Sequence, residues 1–342
     1  MKMRKIVCSF MISVVCFMTA ISGVSATSYD TSKINAAYSK VVEYYKNNNN
    51  LNNADKILAV ESLGLEAESN QFDTSSADLS STSLSKKIVT EVLLGVDPTE
   101  DKKTLESQID ENGNVEGSWG ASSDVWTLYA LYVTSSEKTN LIANKLNDEL
   151  AASSVCGYEW GGTYYADYDT TGWVIEGLAV VNKEKYATTI NKAIDYIKNN
   201  TTMTTTGWVT ADNVDTQSQV LEGMFAYDTN ALLNDSYTVH PVDCLLNTQL
   251  SDGSFPSGYN AEYTTAEVAK TLGTYKNGSV IIKAKKAYDK MMNPEQPDNT
   301  KPAQPTDTKK DSQSTNKVET TNQKTTSVKT GDETNVVIFV SL

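Results

Sequence analysis

The sequence predicts an all-α fold built as a ring of helical hairpins, and two observations lead to this prediction. A glycine-rich turn with an aromatic residue, followed by an acidic residue and an apolar helix, occurs four times. The acidic residues of the four copies, at steps of 45, 46 and 47, are Asp124, Asp169, Asp215 and Glu262. A period of this length fits one hairpin per repeat. Within residues 142–150 and 186–197, apolar positions recur every three or four residues, as in helices with one buried face.

The remaining helices follow from the same periodicity. Residues 34–45, 54–65 and 84–94 precede the repeats, and residues 280–291 follow them. The sum is about twelve helices, or about six hairpins, and no convincing strand pattern appears. Six hairpins can close into a ring in which inner helices are wrapped by outer ones. The small residues Ala130, Gly177, Gly223 and Ala269 fit the close packing of such inner helices.

The amino-terminal segment predicts export. Residues 1–5 are basic, residues 6–21 are mostly apolar, and Val24, Ser25 and Ala26 provide the small residues that signal peptidase requires. Residues 1–26 are therefore interpreted as a signal peptide that is removed, and residues 27–292 as the folded domain. The localisation that follows is secreted or extracellular.

The composition changes after residue 292. Residues 293–327 are rich in Pro, Thr and Lys and predict a disordered linker or stalk. Residues 328–342, with Thr330 and Gly331 before an apolar run, resemble a truncated cell-wall sorting signal of Gram-positive surface proteins. The resemblance implies sortase cleavage between Thr330 and Gly331 and attachment to peptidoglycan. The alternative is a secreted protein without an anchor.

Charge and cysteine usage exclude some partners. The formal net charge is −14, and loss of Lys2, Arg4 and Lys5 with the signal makes it −17. So acidic a chain is a poor candidate for nucleic acid or an anionic membrane surface, and no membrane span is expected in the mature domain. Cys156 and Cys244 lie about two repeats apart and are expected to be buried free thiols.

A resemblance to a known superfamily follows from the last repeat. The run from Gln249 through Gly253 to Phe255 resembles the Gln-x₃-Gly-x-Trp repeat of squalene cyclases and protein prenyltransferases, with Phe in the Trp position. The other three turns match more loosely. The resemblance covers roughly residues 50–290 and implies an α/α toroid. It implies little about chemistry, because this fold hosts enzymes, cobalamin carriers and thioester domains.

Residues 167–171 carry the first candidate for chemistry. They resemble the Asp-x-Asp-Asp/Thr motif of class II terpene cyclases, and this resemblance implies that Asp169 is a general acid and Asp167 its tuning partner. Such an acid requires burial and aromatic walls. The alternative is that an Asp at this place caps the following helix, since an Asp-Thr pair recurs at Asp215.

Two short segments contain residue types that bind metal ions. Asp, Cys and His are the zinc ligands of protein prenyltransferases, and residues 240–244 contain His240, Asp243 and Cys244. So short a run cannot easily surround a tetrahedral ion, and a loop that enters a helix explains it better. Residues 110–116 carry oxygen-containing side chains at alternate positions, as a calcium-binding loop does. They lack the Gly that an EF-type loop requires at its sixth position. The sequence therefore predicts no metal and no cofactor.

Aromatic residues predict a ligand-binding mouth at one end of the ring. Five Trp and eighteen Tyr occur in an otherwise polar chain, and every Trp lies in or beside a repeat turn or a helix start. Aromatic faces between carboxylates suit a carbohydrate, a peptide or another small molecule. The predicted mouth residues are Trp119, Asp124, Trp126, Trp160, Tyr164, Tyr165, Trp173, Trp208, Asp215 and Glu262.

Other interpretations stay open. Each Trp can instead pack the turn of its own repeat. The domain can be an enzyme, either cyclase-like through Asp169 or carbohydrate-active through two of the carboxylates Asp124, Asp169 and Asp215. It can also be a structural or adhesion spacer.

Overall fold

A computed structural model describes residues 29–68, 72, 80–202 and 213–294. Within them the chain forms eleven helices and one β-hairpin, which confirms the all-α class. The helices are α1 (Thr31–Asn47), α2 (Ala54–Ser62), α3 (Ser81–Leu93), α4 (Thr99–Ser107), α5 (Ala121–Val133), α6 (Thr139–Ser153), α7 (Tyr168–Asn200), α8 (Val214–Asn234), α9 (Pro241–Leu246), α10 (Ala261–Asn277) and α11 (Val280–Met292). The strands are β1 (Gly157–Trp160) and β2 (Thr163–Ala166), which pair antiparallel.

Short polar side chains fix where most helices begin. A side-chain oxygen just before the helix accepts a hydrogen bond from a free backbone N–H of the first turn, which the helix itself cannot satisfy. The residues that do so are Asp30, Asn53, Ser80, Asp167, Asn213, Asn260 and Ser279.

Six helices form the centre of the domain. Along the chain α2, α3, α5, α7, α8 and α10 contact one another in succession, and α10 also contacts α2. Residues 214–225 of α8 and 264–274 of α10 are buried without interruption. A helix buried all round has neighbours on every side, so these helices lie inside the domain.

The central helices α7 and α8 lie almost backbone to backbone. A Cβ atom at Gly172 would come within 2.4 Å of the carbonyl oxygen of Gln219, and one at Gly223 within 2.3 Å of the carbonyl oxygen of Gly172. Only glycine permits this approach, which explains Gly223 among the small residues of the repeats.

The contacts also show that neighbouring central helices are parallel. On α8 and α10, Asp215 pairs with Thr264 in the first turns, and Glu222 pairs with Thr274 further along both helices. Similarly, Lys56 of α2 pairs with Glu262 at the start of α10, and Ser62 at the end of α2 contacts the carbonyl of Ala269.

The helices α3, α5 and α7 are also parallel, because residues at the same position in each helix contact one another. Lys86, Trp126 and Trp173 are each the sixth residue of their helix. The Lys86 Nζ atom lies 4.5 Å from the ring centre of Trp126, whose ring lies 5.9 Å from that of Trp173. The amino ends of the central helices therefore lie at one end of the domain.

The other helices pack outside this centre. The helix α1 contacts α9 and α10, α4 contacts α3 and α5, and α6 contacts α5 and α7. Their buried residues recur every three or four positions, as at Ile34, Ala37, Val41 and Tyr45 of α1. The helices α7 and α8 each bend at one residue with non-helical backbone angles, Asn182 in α7 and Asp228 in α8.

The turn of the last repeat packs against the first helix, and we call this contact, formed by Gln249 and Gly253 with Ala37 and Lys40, the seam. The amide of Gln249 donates to the carbonyl oxygens of Ala37 and Gly253, both at 3.1 Å. Gly253 has φ +94°, and a Cβ there would meet the carbonyl oxygen of Lys40 at 2.3 Å. The Gln-x₃-Gly-x-Phe turn thus packs directly on α1, and Phe255 is fully buried beneath it.

The carboxyl ends of the central helices are covered by α11. This helix contacts α2, α3, α5 and α10. Its cap residue Ser279 donates to Glu176 of α7 at 2.6 Å, and Lys283 pairs with Glu61 at the end of α2 at 2.6 Å. Because α11 touches four central helices and reaches a fifth, this end of the domain is closed.

Several expectations are settled by these observations. Cys156 and Cys244 are buried free thiols, as predicted. The expectation of no strand was wrong for the hairpin β1–β2: Gly161 and Gly162 both have positive φ (59° and 77°), as a two-residue hairpin turn requires. The polar helix α4 was also missed.

No helix among the described ranges has the length and apolarity needed to cross a membrane. The predicted signal peptide, the linker after residue 294, and Thr330 with Gly331 lie outside the described residues.

Candidate functional site

The structure brings Asp169 and Asp215 together at the amino ends of α7 and α8. Each is the second residue of its helix. Thr216 donates a hydrogen bond to Asp169, and Asp215 accepts from the hydroxyls of Tyr259 and Thr264. We call these two residues with Trp173, Tyr259 and Tyr263 the carboxylate site.

The environment of Asp169 favours its protonated form. Burial, the largest cause, raises the pKa of Asp169 to about 6, and the neighbouring carboxylates Asp167 and Asp215 add to the rise. The hydrogen bond from Thr216 opposes it by stabilising the charged form. A carboxyl with such a pKa can hold or release a proton near neutral pH.

Asp167 has a structural role as the cap of α7. Its side chain accepts from the backbone N–H of Thr170 at 3.1 Å and from the Thr170 hydroxyl at 2.7 Å. The interpretation of Asp169 as the cap is therefore wrong, because the cap lies two residues earlier. The same holds for Asp215, since Asn213 caps α8.

An aromatic wall lies one turn below the two carboxylates. Trp173 is half-buried and stands four residues after Asp169, so both lie on one face of α7. The ring of buried Trp126 packs edge-on against Trp173 and against Tyr129, with ring centres 5.9 Å and 5.3 Å apart. The Lys270 Nζ atom lies 5.4 Å from the Trp126 ring, an attractive cation–π arrangement.

Beneath this wall lies what we call the buried ion cluster, formed by Glu176, Glu222, Glu267 and Lys270. The Lys270 Nζ atom is 2.9 Å from Glu267 Oε2 and 3.8 Å from Glu222 Oε2. Glu176 accepts from Tyr129 at 2.9 Å and from Ser279 at 2.6 Å. All four side chains are buried.

Burial decides the protonation of this cluster. It raises the pKa of Glu222 well above the ordinary carboxyl range and that of Glu176 above its usual value. Burial alone would lower the pKa of Lys270, but the attraction of Glu267 and Glu222 outweighs it and raises that pKa. The lysine is therefore charged, and it offsets the negative charge that this buried site carries.

Four buried polar atoms of the aromatic wall, of Gln219 and of the cluster have no hydrogen-bond partner within the described part of the chain. They are Nε1 of Trp173, Oε1 of Gln219, Oε2 of Glu222 and Oε1 of Glu267. Gln219 also donates to Tyr263 at 3.3 Å and to Glu267 at 3.2 Å, so it links the carboxylate site to the cluster. A set that contains both a free donor and free acceptors suits hydroxyl groups, which both donate and accept.

The other predicted mouth residues are dispersed. Asp124 is the fourth residue of α5 and pairs with Lys145 of α6 at 2.9 Å, so it faces an outer helix. Trp119 is 88% exposed, and Tyr164 and Tyr165 are exposed on β2. Glu262 pairs with Lys56 at 2.8 Å.

Two predicted residues have no described side chain. The backbone of Trp160 lies at the end of β1, and Trp208 falls outside the described residues. A ligand role for any of these positions stays a prediction.

The two metal candidates have local structural roles. His240 caps α9, where its Nδ1 accepts from Val242 at 3.2 Å, while Asp243 pairs with Lys33 and accepts from Tyr29. Asp110 closes a turn by accepting from the backbone of Asn112 and Asn114. Among residues with a described position, no three His, Cys, Asp or Glu side chains are grouped to hold a metal.

Sequence reasoning missed Gln219, Glu267 and Lys270. A signal was present, since Glu176 and Glu222 stand at the same offset before a glycine in two repeats. Charged residues inside an apolar helical pattern that is buried all round mark an internal site, but the pattern did not separate inner faces from outer ones.

Comparisons with protein-family models, with curated proteins and with solved structures gave no match for this chain. Functional inference therefore depends on the geometry of the site itself.

Proposed function

We propose that this chain is an exported α/α toroid that binds a ligand at the carboxylate site. The toroid is supported by the cyclic order of contacts among six parallel helices and by the outer position of α1, α4 and α6. Binding at the amino ends of the central helices is supported by the position of α11, which covers the opposite ends. The ligand is a carbohydrate, a peptide or another small molecule.

The observation that carries this proposal is the proximity of the Asp169 and Asp215 carboxylates, one helical turn from the ring of Trp173. Two carboxylates on neighbouring parallel helices, an aromatic face and unpartnered polar atoms beneath them form a small set of convergent recognition groups. Burial of the unpartnered atoms costs free energy unless a ligand or water satisfies them. A purely structural core has no need of this arrangement.

Export and wall attachment complete the proposal. Residues 1–26 act as the signal, residues 293–327 as a stalk, and sortase joins Thr330 to peptidoglycan. These roles rest on the sequence patterns alone. Cell fractionation of the producing bacterium tests them: we expect the chain in the wall fraction, whereas release into the medium would favour the secreted alternative.

A thermal-shift screen of the purified chain tests ligand binding. The panel contains oligosaccharides, corrinoids, isoprenoids, peptides and divalent metals. A ligand at 100 times its dissociation constant stabilises the native state by about 2.7 kcal/mol, which gives a readable shift. We expect a hit in one chemical class that is lost in Trp173→Ala and Asp169→Asn and kept in Trp119→Ala, a matched exposed control. If no compound of the panel raises the melting temperature, the result would favour the interpretation of the domain as a structural or adhesion spacer.

An enzyme remains a second candidate because of the pKa of Asp169. A half-buried acid with a pKa of about 6 beside a second carboxylate fits a general acid, either in glycoside hydrolysis with Asp215 or in cyclase-like alkene protonation. Incubation of the chain with the panel compound that binds, followed by mass spectrometry, tests this. Turnover that Asp169→Asn abolishes, even at ligand concentrations that restore its thermal shift, would establish catalysis.

A further inference from the structure

A cavity of about 300 Å³ lies where α1 ends and α2 and α10 begin, and its lining residue Glu262 directly precedes Tyr263 of the carboxylate site. We call it the amide cleft. Its wall is formed by the four successive asparagines at positions 47–50, the rings of Tyr44 and Tyr45, and the pair Lys56–Glu262. This volume is at the lower end of the range of small-molecule sites.

We propose that the ligand is a neutral oligosaccharide whose chain extends from the carboxylate site into the amide cleft. This inference rests on the proposed function and names the ligand class of that site. The chemistry of the cleft wall and the residues that the cleft shares with a neighbouring cavity support it.

The wall favours a neutral polyhydroxylated chain. Side-chain amides both donate and accept, as hydroxyl groups do. The described side chains of Asn49 and Asn50 are exposed and make no hydrogen bond within the described ranges, so they are available to a ligand. The one charged pair in the wall, Lys56 with Glu262 at 2.8 Å, is neutral as a unit. None of the described lining residues is aliphatic, so apolar peptide side chains find no pocket there.

Shared lining residues link the cleft to a second cavity that is lined by Tyr263 of the carboxylate site. A smaller cavity of about 70 Å³ shares Lys56 and Glu262 with the cleft and is also lined by Asp55 and Tyr263. The ring of Tyr263 lies 6.4 Å from that of Tyr259, which donates to Asp215. The Lys56–Glu262 pair therefore lies at the border of the two cavities. An oligosaccharide that extends past this pair would contact first Tyr263 and then Tyr259.

Isothermal titration with oligomers of one to six units tests the inference. The probes are glucose, xylose, mannose and N-acetylglucosamine oligomers, and the proteins are the purified chain, Asn49→Ala/Asn50→Ala, and Asn199→Ala/Asn200→Ala. The last is a matched control, because Asn199 and Asn200 are also successive exposed asparagines, at the end of α7. For the unmodified chain and the control we expect affinity for one series to rise about tenfold between two and four units. In the cleft variant we expect short oligomers to bind as before and this rise to disappear.

Other results separate the two proposals. If affinity does not depend on length, or if the cleft variant keeps the full rise, the extension into the cleft is wrong and the carboxylate site stands. If Asp169→Asn/Trp173→Ala binds oligomers normally while the cleft variant does not, the carboxylate site is wrong. If no oligosaccharide binds, the inference is overturned, and the corrinoid, isoprenoid and peptide members of the thermal-shift panel decide the proposed function.

Discussion

Lys270 and Glu267 form an ion pair of 2.9 Å inside the centre of the domain, and both side chains are buried. They are one turn apart on α10, and Glu222 of α8 approaches the same ammonium group at 3.8 Å. Burying a charge is costly, and the partner offsets this cost only while the pair is intact. The cluster is therefore sensitive to the loss of its single positive charge.

We expect Lys270→Met to lower the free energy of unfolding by about 3–5 kcal/mol, because the carboxylates lose their counter-charge in a buried place. Urea denaturation measures this. Lys276→Met, at an exposed position of the same helix, is the control. The double variant Lys270→Met/Glu267→Gln should recover part of the loss. Equal stability of the Lys270 and Lys276 variants would contradict the role assigned to the cluster.

The close approach of α7 and α8 predicts a steric effect at Gly223. A Cβ atom there would lie 2.3 Å from the carbonyl oxygen of Gly172, so the two helices must separate. We expect Gly223→Ala to destabilise the chain by about 1–3 kcal/mol, although alanine favours a helix over glycine by about 1 kcal/mol.

Thermal denaturation beside Gly258→Ala checks this prediction. A Cβ at Gly258 meets no heavy atom within 4 Å, so that control should change stability little. A more stable Gly223→Ala variant would show that the helices are further apart than described.

The raised pKa of Asp169 predicts how stability depends on pH. In the folded chain this pKa is about 6, against 3.8 for an ordinary aspartate. The native state thus holds more protons than the unfolded state between about pH 4 and about pH 6, and its stability falls as pH rises through this window. Asn cannot ionise, so Asp169→Asn should gain stability relative to the unmodified chain across the window.

Urea denaturation at several pH values measures this difference. We expect a relative gain of about 1–2 kcal/mol, less than the full shift implies, because Asp169 is only half-buried. Asp195→Asn, an exposed carboxyl on the same helix, serves for comparison. A pH profile of Asp169→Asn parallel to that of the unmodified chain would mean that Asp169 is ionised as an ordinary surface carboxyl.

The all-α class was predictable because helical periodicity is local. Each hairpin contains its own pattern of apolar residues. Among the small residues, Gly223 marked a face that approaches another backbone, and Gly177 one that packs against side chains of α5. The β-hairpin also had a local signal, the Gly161–Gly162 pair that follows Trp160, but the repeat pattern placed this pair in a turn before a helix and predicted no strands around it.

The candidate site was predictable only in part. The constant spacing correctly suggested that Asp169 and Asp215 occupy equivalent places, since both are the second residue of a helix. It misplaced Asp124, because α5 begins three residues before it and turns its side chain toward Lys145. Lys270 was missed because a lysine in a helix is usually exposed, and only the surrounding helices make its position internal.

The seam between the two ends of the domain could not be predicted from local patterns, since Gln249 and Ala37 are 212 residues apart. The Gln249 amide donates to Ala37 in α1 and to Gly253 in its own turn. We expect Gln249→Ala to weaken the attachment of α1 by about 1–2 kcal/mol, because two hydrogen bonds are lost, one of them the contact with α1 itself.

Hydrogen exchange followed by mass spectrometry measures this effect locally. Peptides from α1 (Thr31–Asn47) should exchange about tenfold faster in Gln249→Ala, whereas peptides from α6 (Thr139–Ser153), far along the chain from the seam, should not change. Gln249→Glu removes the amide donor at nearly constant size and should behave in the same way. Exchange in α1 at the original rate in both variants would mean that packing of Phe255 and Gly253 alone holds the seam together.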